Sequence, residues 1–191
     1  FFNQHSLSWL SHLGVTPAAP FSSTGAEWLR TFGGGLVTTC GLTHVGGPES
    51  DEFGDRGLHG GISNVPAEVI SIMQPSASQD SMSITGVVRE TRPFGPCLEL
   101  KRTISSKLGE TTITFRDEIT NCGNQPAPHM LLYHINLGWP LIDKDARLLW
   151  SGTWRSRDND PQNPIFNPTN DFKKCLDPLE SHRGGGEGGD G

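Results

Sequence analysis

The stretch Ser81–Thr120, SMSITGVVRETRPFGPCLELKRTISSKLGETTITFRDEIT, alternates polar and apolar residues in the manner of β-strands. Strands are predicted over Ser81–Arg89, Leu98–Ile104 and Ile113–Ile119. The intervening segment Ser105–Glu110 is predicted to form a hairpin turn, because its glycine can adopt a positive φ. The stretch therefore predicts consecutive strands that pair in an antiparallel manner.

The flanking sequence shows the same strand-like character, and its helical signal is confined to one short turn expected at Gly25–Phe32. With 24 Gly and 14 Pro in 191 residues, turn-forming residues make up about a fifth of the chain, against roughly 12% on average. Many short strands with such punctuation predict an all-β, antiparallel β-sandwich or barrel. Further strands are predicted at Leu36–Val45, Ala67–Gln74, Met130–Asn136 and Arg147–Trp150.

Charge and cysteine usage exclude several classes of function. The formal net charge is −6 and the charges are mixed in sign, so no basic stripe is available for nucleic acid. The apolar runs are far shorter than the roughly 20 residues that span a bilayer. The four cysteines form no CxxC pair, which argues against a zinc knuckle and favours reduced thiols in a cytoplasmic protein.

The C-terminal segment 182–191 is mostly glycine with two acidic residues. Such a composition buries too little apolar surface to order itself alone, so a disordered tail is one interpretation. A functional loop is the other. Residues 1–191 as a whole are expected to form the N-terminal and central part of a single β-sandwich domain, with 182–191 as this tail or loop.

The segment Gly57–Ala67, GLHGGISNVPA, is the first candidate for chemistry. Glycines lie close to His59 on both sides, which allows backbone or ligand to approach closely and leaves the imidazole uncovered. A glycine-rich loop is more often only a turn, so this segment alone predicts no reaction.

The segment Met130–Pro140, MLLYHINLGWP, is the second candidate. His134 and Asn136 lie two residues apart and share one strand face, with Tyr133 and Trp139 nearby. An imidazole, an amide and an aromatic ring suit a sugar, which has hydroxyl groups and an apolar face. A single strand histidine is usually structural, and the two segments alone do not define a reaction.

Taken together, these segments resemble a bacterial family of aldose-1-epimerase-like proteins, the DUF4432 group. The resemblance also rests on FGGGL at Phe32–Leu36, CGLTHVG at Cys40–Gly46 and HRGGGE at His182–Glu187. It implies a galactose-mutarotase-like β-supersandwich that binds a monosaccharide or sugar derivative and needs no cofactor or metal. A homodimer is compatible with it.

The resemblance also implies roles for individual residues. His134 would protonate the ring oxygen of the sugar, and His59 would orient or polarise the ring. The glutamate that acts as general base in mutarotases has no match here and is expected beyond residue 191. Residues expected to bind the sugar are Asn64, Tyr133, Asn136, Glu187 and His182.

Two alternatives remain open at this point. One is a sugar-binding module without catalysis. The other is a metal-dependent sugar lyase or isomerase that draws ligands from His44, His59, His129, His134 and Glu187, because divalent metals accept imidazole and carboxylate ligands. The spacing of His129 and His134 argues against this, since residues five apart on a regular strand point to opposite faces.

Overall fold

The computed structural model describes residues 6–11, 13, 24–52, 54–149 and 151, together with the backbone of 172–174. The chain divides into two compact units, one formed by Leu10–Asn136 and the other by Phe1–Trp9 with Leu137–Gly191. The first unit contains both His59 and His134. No helix in the described part of the chain is long and apolar enough to cross a membrane.

Strands account for nearly all regular structure in the described residues, which confirms the expected all-β fold. Short 3₁₀ helices occur at Glu27–Arg30 and Ile62–Asn64. The predicted strands all form, although Trp150 lies outside the described residues. The strands are β1 Val37–Leu42, β2 Glu49–Asp51, β3 Gly54–Arg56, β4 Glu68–Met73, β5 Ser81–Thr91, β6 Cys97–Lys107, β7 Thr114–Asn121, β8 Met130–Ile135, β9 Arg147–Leu149 and β10 Phe172–Lys174.

Four consecutive strands form an antiparallel sheet in the order β4-β5-β6-β7. The β5–β6 pair is continuous from Ser81 opposite Lys107 to Thr91 opposite Cys97. Gly109, in the turn that follows β6, has the positive φ expected for the hairpin, +81°, but Ser105–Lys107, which were predicted to lie in the turn, continue β6. The alternating sequence of these strands and the tight turns between them therefore account for the antiparallel sheet of consecutive strands.

A second sheet joins β1 to β8, two strands that are distant in sequence. The antiparallel register places Thr38 opposite His134 and Thr39 opposite Tyr133. Because paired residues share a face and successive residues alternate, His134 and Tyr133 point to opposite sides of this sheet.

The β1–β8 sheet and the four-stranded sheet pack together through a small apolar core. Leu42 from β1, Leu98 and Leu100 from β6, and Ile62 are all at most 4% exposed and form one cluster. Leu131 from β8 packs against it. This two-layer antiparallel arrangement is the β-sandwich that the sequence predicted.

A buried polar network also connects the layers. Arg102 on β6 donates from Nε and Nη2 to the two carboxylate oxygens of Asp117 on β7, at 2.8 and 2.7 Å, and from Nη1 to the hydroxyl of Thr39 on β1. Burial alone would raise the pKa of Asp117, but hydrogen bonds from Arg102 and Tyr133 outweigh it and lower that pKa. The bidentate pair orients the guanidinium of Arg102, and its third hydrogen bond, to Thr39, connects β1 to β6.

In the second unit, the described residues form two small pairings. Ser8 forms a β-bridge with Leu137, and the backbone N–H of Gly138 donates to the carbonyl of Leu7 at 2.8 Å. β9 and β10 form a separate antiparallel pair.

The core predicts a clear stability difference between two leucine substitutions. Leu100→Ala removes a side chain that is 2% exposed and should lower the free energy of unfolding by about 2–5 kcal/mol, through lost burial and a residual cavity. Leu108→Ala, at a turn position that is 57% exposed, should change it by less than about 0.5 kcal/mol. Urea unfolding followed by tryptophan fluorescence measures both, and equal losses would contradict this description of the core.

Candidate functional site

The backbone holds His59 in an unusual conformation beside the end of β1. Its φ is +58°, a left-handed value that is uncommon for residues other than glycine. The His59 N–H donates to the Gly46 carbonyl at 2.9 Å, and the His59 carbonyl accepts from the Gly41 N–H at 3.1 Å. These two bonds fix the direction of the imidazole.

Gly60 is required for this docking. Its φ is +71°, and a Cβ atom at this position would lie 2.5 Å from the carbonyl oxygen of His44 and 2.7 Å from that of Gly41. Any side chain would therefore push the loop away from β1. The close backbone approach around His59 agrees with the sequence interpretation of its flanking glycines.

The two candidate histidines lie side by side. The rings of His59 and His134 are 5.9 Å apart between centroids and nearly perpendicular, at 75°. His134 reaches this position from β8, whereas His59 reaches it from the loop docked on β1. The structure thus brings together the two residues that the sequence singled out independently.

An aromatic wall of Trp28 and Phe32 supports both imidazoles. The two aromatic rings stack at 4.4 Å; Trp28 meets His59 edge-on at 4.9 Å, and Phe32 meets His134 at 5.1 Å. Trp28 is 3% exposed and its indole N–H donates to the Ser63 hydroxyl at 2.9 Å. The wall lowers the polarity around the histidine pair.

These surroundings favour the neutral form of His59. Burial lowers the pKa of His59, and repulsion from His134 and His44 lowers it further. Nδ1 of His59 accepts a hydrogen bond from the Gly46 N–H at 3.4 Å. The neutral ring therefore carries its proton on Nε2 and can present an N–H donor.

His134 has a different environment. Its Nδ1 is buried and has no hydrogen-bond partner among the described residues. None of the hydrogen bonds of His59 or His134 within the described residues goes to a carboxylate. Leaving a buried ring nitrogen unpaired costs free energy, and such atoms occur more often at functional sites than in ordinary cores.

Asn136 and Asn64 both use their amide groups in hydrogen bonds within the protein. The amide nitrogen of buried Asn136 donates to the carbonyls of Gly35 at 2.8 Å and His134 at 3.1 Å. That of Asn64 donates to the Ser63 hydroxyl at 3.3 Å. Asn136 thus secures the end of the strand that carries His134.

Tyr133 does not converge with the histidines. It lies on the opposite face of β8, where its hydroxyl donates to Asp117 Oδ2 at 2.5 Å. This hydrogen bond is the main cause of the raised pKa of Tyr133. Tyr133 thus belongs to the hydrogen-bond network of Arg102 and Asp117. The sequence analysis did not identify this structural role, although the alternation of β8 places Tyr133 and His134 on opposite faces.

The remaining sequence-predicted residues divide into two groups. Glu187 and His182 lie outside the described residues. Of the proposed metal ligands, His44 is buried, with Nε2 at 2.8 Å from the Gly47 carbonyl and Nδ1 at 3.0 Å from Glu49, whereas His129 is exposed. Within the described part of the chain, no three His, Cys, Asp or Glu side chains are grouped to hold a metal ion.

A cavity of about 400 Å³ lies between the two layers, apart from the histidine pair. Most of its lining is aliphatic, and its polar lining comes from Thr38, Thr39, Ser63 and Arg102. The Arg102 guanidinium is already paired with Asp117. The imidazole pair, not this cavity, therefore concentrates the groups that can transfer protons.

The β-sandwich is similar in fold to an aldose-1-epimerase-like protein. A crystal structure from Klebsiella pneumoniae subsp. pneumoniae MGH 78578, of a protein provisionally named aldose 1-epimerase, matches with a TM-score of 0.65 and 25% identity. The match covers 75% of this chain and 38% of the Klebsiella chain. No curated protein matches the sequence.

More specifically, the chain belongs to the family described as "Domain of unknown function (DUF4432)". The family model matches residues 1–184. This membership confirms the resemblance seen in the sequence, and the family description leaves the reaction open.

The lowered pKa of His59 predicts an acid-sensitive contribution to stability. Since the folded-state pKa lies below that of the unfolded chain, the unfolded state binds more protons as the pH falls below about 6.5. The wild type should therefore lose more free energy of unfolding than His59→Gln between about pH 7 and about pH 5.

Urea unfolding at several pH values measures this difference, and exposed His129→Gln is the matched control. That control should follow the wild-type pH dependence. If His59→Gln also follows it, His59 is not held neutral by its surroundings.

Proposed function

We propose that this chain forms the histidine-bearing part of an aldose-1-epimerase-like site that interconverts the anomers of a sugar by acid–base ring opening. The observation that carries the proposal is the contact between His59 and His134, with ring centroids 5.9 Å apart. The family membership and the epimerase-like fold support it.

The reaction needs one group that protonates the ring oxygen and another that removes the proton from the anomeric hydroxyl. When the ring opens, rotation about the C1–C2 bond allows closure on the other face of the carbonyl. Imidazole suits the acid role, because its ordinary pKa leaves a usable protonated fraction near neutral pH.

The electrostatics of the pair suggest how the two histidines divide the work. Two imidazoles in contact do not readily carry a positive charge at the same time. Burial, followed by repulsion from His134 and His44, lowers the pKa of His59, so in this proposal His59 supplies a neutral Nε2–H that orients the sugar. The proton-donating role then falls to His134.

The general base is not assigned to a described residue. The mechanism implied by the resemblance uses a glutamate, which would accept the anomeric proton and return it after rotation. Glu187 and His182 keep their proposed role in binding sugar hydroxyls. Asn64 is the described residue nearest in sequence to His59 that can add an amide contact, whereas Tyr133 and Asn136 would act through the protein scaffold.

A sugar-binding module without catalysis is the second candidate. It is favoured by the hydrogen bonding of the pair, since within the described residues neither imidazole bonds to a carboxylate. An oriented acid without a base would still bind a sugar through its ring oxygen. The two candidate functions use the same site. They differ in whether a general base removes the proton from the anomeric hydroxyl.

The rate of anomer exchange distinguishes the catalytic function from the sugar-binding module. With freshly dissolved aldoses, two-dimensional exchange NMR should show faster α–β interconversion with the protein than in buffer. His134→Ala should lower the protein-dependent rate by about 10²–10⁴-fold, the usual contribution of an acid–base group. His129→Ala, a histidine exposed on the adjoining segment, should retain the rate.

Two outcomes would overturn the catalytic proposal. If no aldose exchanges faster than in buffer but binding still depends on His134, the site belongs to a sugar-binding module. If His134→Ala exchanges sugar as fast as the wild type, the acid lies elsewhere.

A further inference from the structure

We propose that Glu90 is a positioning residue for His59, acting through the backbone between β1 and β2. Glu90 lies on β5, opposite Leu98 in the four-stranded sheet, and its side-chain hydrogen bonds within the described residues go to Leu42 and Thr43. It was not among the residues that the sequence pointed to. The inference rests on the proposed role of His59, but its geometry can be tested without a sugar.

The Glu90 carboxylate binds the chain where β1 ends. Its Oε2 accepts hydrogen bonds from the backbone N–H groups of Leu42 at 2.6 Å and Thr43 at 3.4 Å. Its Oε1 accepts from the Thr43 hydroxyl. One ionised side chain thus serves three donors on two consecutive residues, and charge-assisted bonds of this kind are the stronger class.

The two residues whose donors bind Glu90 are themselves buried. Leu42 is 0% exposed and Thr43 is 3% exposed. Arg56 Nη1 donates to the Thr43 hydroxyl oxygen at 3.0 Å, which makes that hydroxyl an acceptor from Arg56 and a donor to Glu90. Removing the carboxylate would leave buried N–H and O–H groups unpaired, which native structures avoid.

The same segment makes the contacts that hold His59. Gly41, just before the residues bound by Glu90, donates its N–H to the His59 carbonyl, and Gly46, just after them, exchanges hydrogen bonds with the His59 N–H and Nδ1. The carbonyls of Gly41 and His44 also pack against Gly60. Glu90 therefore anchors the centre of a segment whose two ends position His59.

Through this arrangement, Glu90 affects the position of the His59 imidazole in addition to the stability of the fold. If the segment shifts, the Gly46 N–H moves away from Nδ1 of His59, and the imidazole loses the contact that sets its tautomer. Burial of the ring also decreases, so the main cause of its lowered pKa weakens. Both effects can be observed on His59 itself.

The test is ¹⁵N NMR of the imidazole groups across a pH titration, in the absence of sugar, for the wild type, Glu90→Ala, Glu90→Asp and Glu90→Gln. In the wild type, His59 should show the Nε2–H tautomer and titrate below 6.5. In Glu90→Ala the pKa of His59 should rise toward 6.5, and the tautomer signals should average.

The variants Glu90→Gln and Glu90→Asp distinguish an effect on the position of His59 from an effect on folding. Glu90→Gln keeps an acceptor for the two backbone N–H groups and should largely preserve the His59 signals. Glu90→Asp keeps the charge but shortens the side chain, so it should shift His59 in the same direction as Glu90→Ala. Glu68→Ala, an exposed glutamate on β4, is the matched control and should leave His59 unchanged.

The outcomes are decisive whether or not the alanine variant folds. A folded Glu90→Ala or Glu90→Asp with wild-type His59 tautomer and pKa would overturn the proposal. If Glu90→Ala does not fold, Glu90→Asp alone decides. Failure of the anomer-exchange experiment would not alter these results, because they report the geometry of His59 and not turnover.

Discussion

The antiparallel pairing of β1 with β8 is the interaction on which the site depends. It places His134 opposite Thr38, near the start of β1. A few residues further along β1, the Gly41 N–H holds the backbone of the His59 loop. One strand pair therefore determines both the position of the proposed acid and the place where its partner docks.

Buried polar groups keep this strand pair in place above the four-stranded sheet. Arg102 and Asp117 form a bidentate pair that also engages Thr39 on β1 and Tyr133 on β8, and Glu90 binds the end of β1. Burying charge is costly, and it is tolerated here because each group is paired and hydrogen-bonded. The apolar core packs the layers together, while these contacts define where β1 lies over the sheet.

The aromatic wall of Trp28 and Phe32 determines the surroundings of the imidazole pair. Trp28 and Phe32 remove water from one side of the imidazole pair, and desolvation is the leading cause of the lowered pKa of His59. Two chemically identical side chains thereby acquire different environments. In the proposed function, His59 is the hydrogen-bond donor and His134 transfers the proton.

The local sequence pattern predicted the strands well because their alternation is strong. Ser81–Arg89 became the first part of β5, and Ile113–Ile119 lies largely within β7. The β2–β3 hairpin escaped prediction, since its strands are short and mostly polar. Glycines around His59 correctly indicated close backbone packing, which Gly60 shows most clearly.

Other features of the site depend on long-range pairing and are not visible in a local pattern. The contact between His59 and His134 requires β1 to pair with β8, and alternation within either strand does not specify its partner. Trp28 and Glu90 gave no signal as supporting residues, because their neighbours are brought close only by the fold. The orientation of Tyr133 away from His134 agrees with the two-residue period of β8, although Tyr133 was expected to bind the sugar beside His134.

A sugar titration followed by the imidazole ring-proton signals of all the histidines tests directly whether the imidazole pair binds sugar. We expect His59 and His134 to shift together with one apparent Kd, while the signals of exposed His129 stay in place. If sugar binds and perturbs other histidines but leaves both His59 and His134 unchanged, the imidazole pair is not the sugar site.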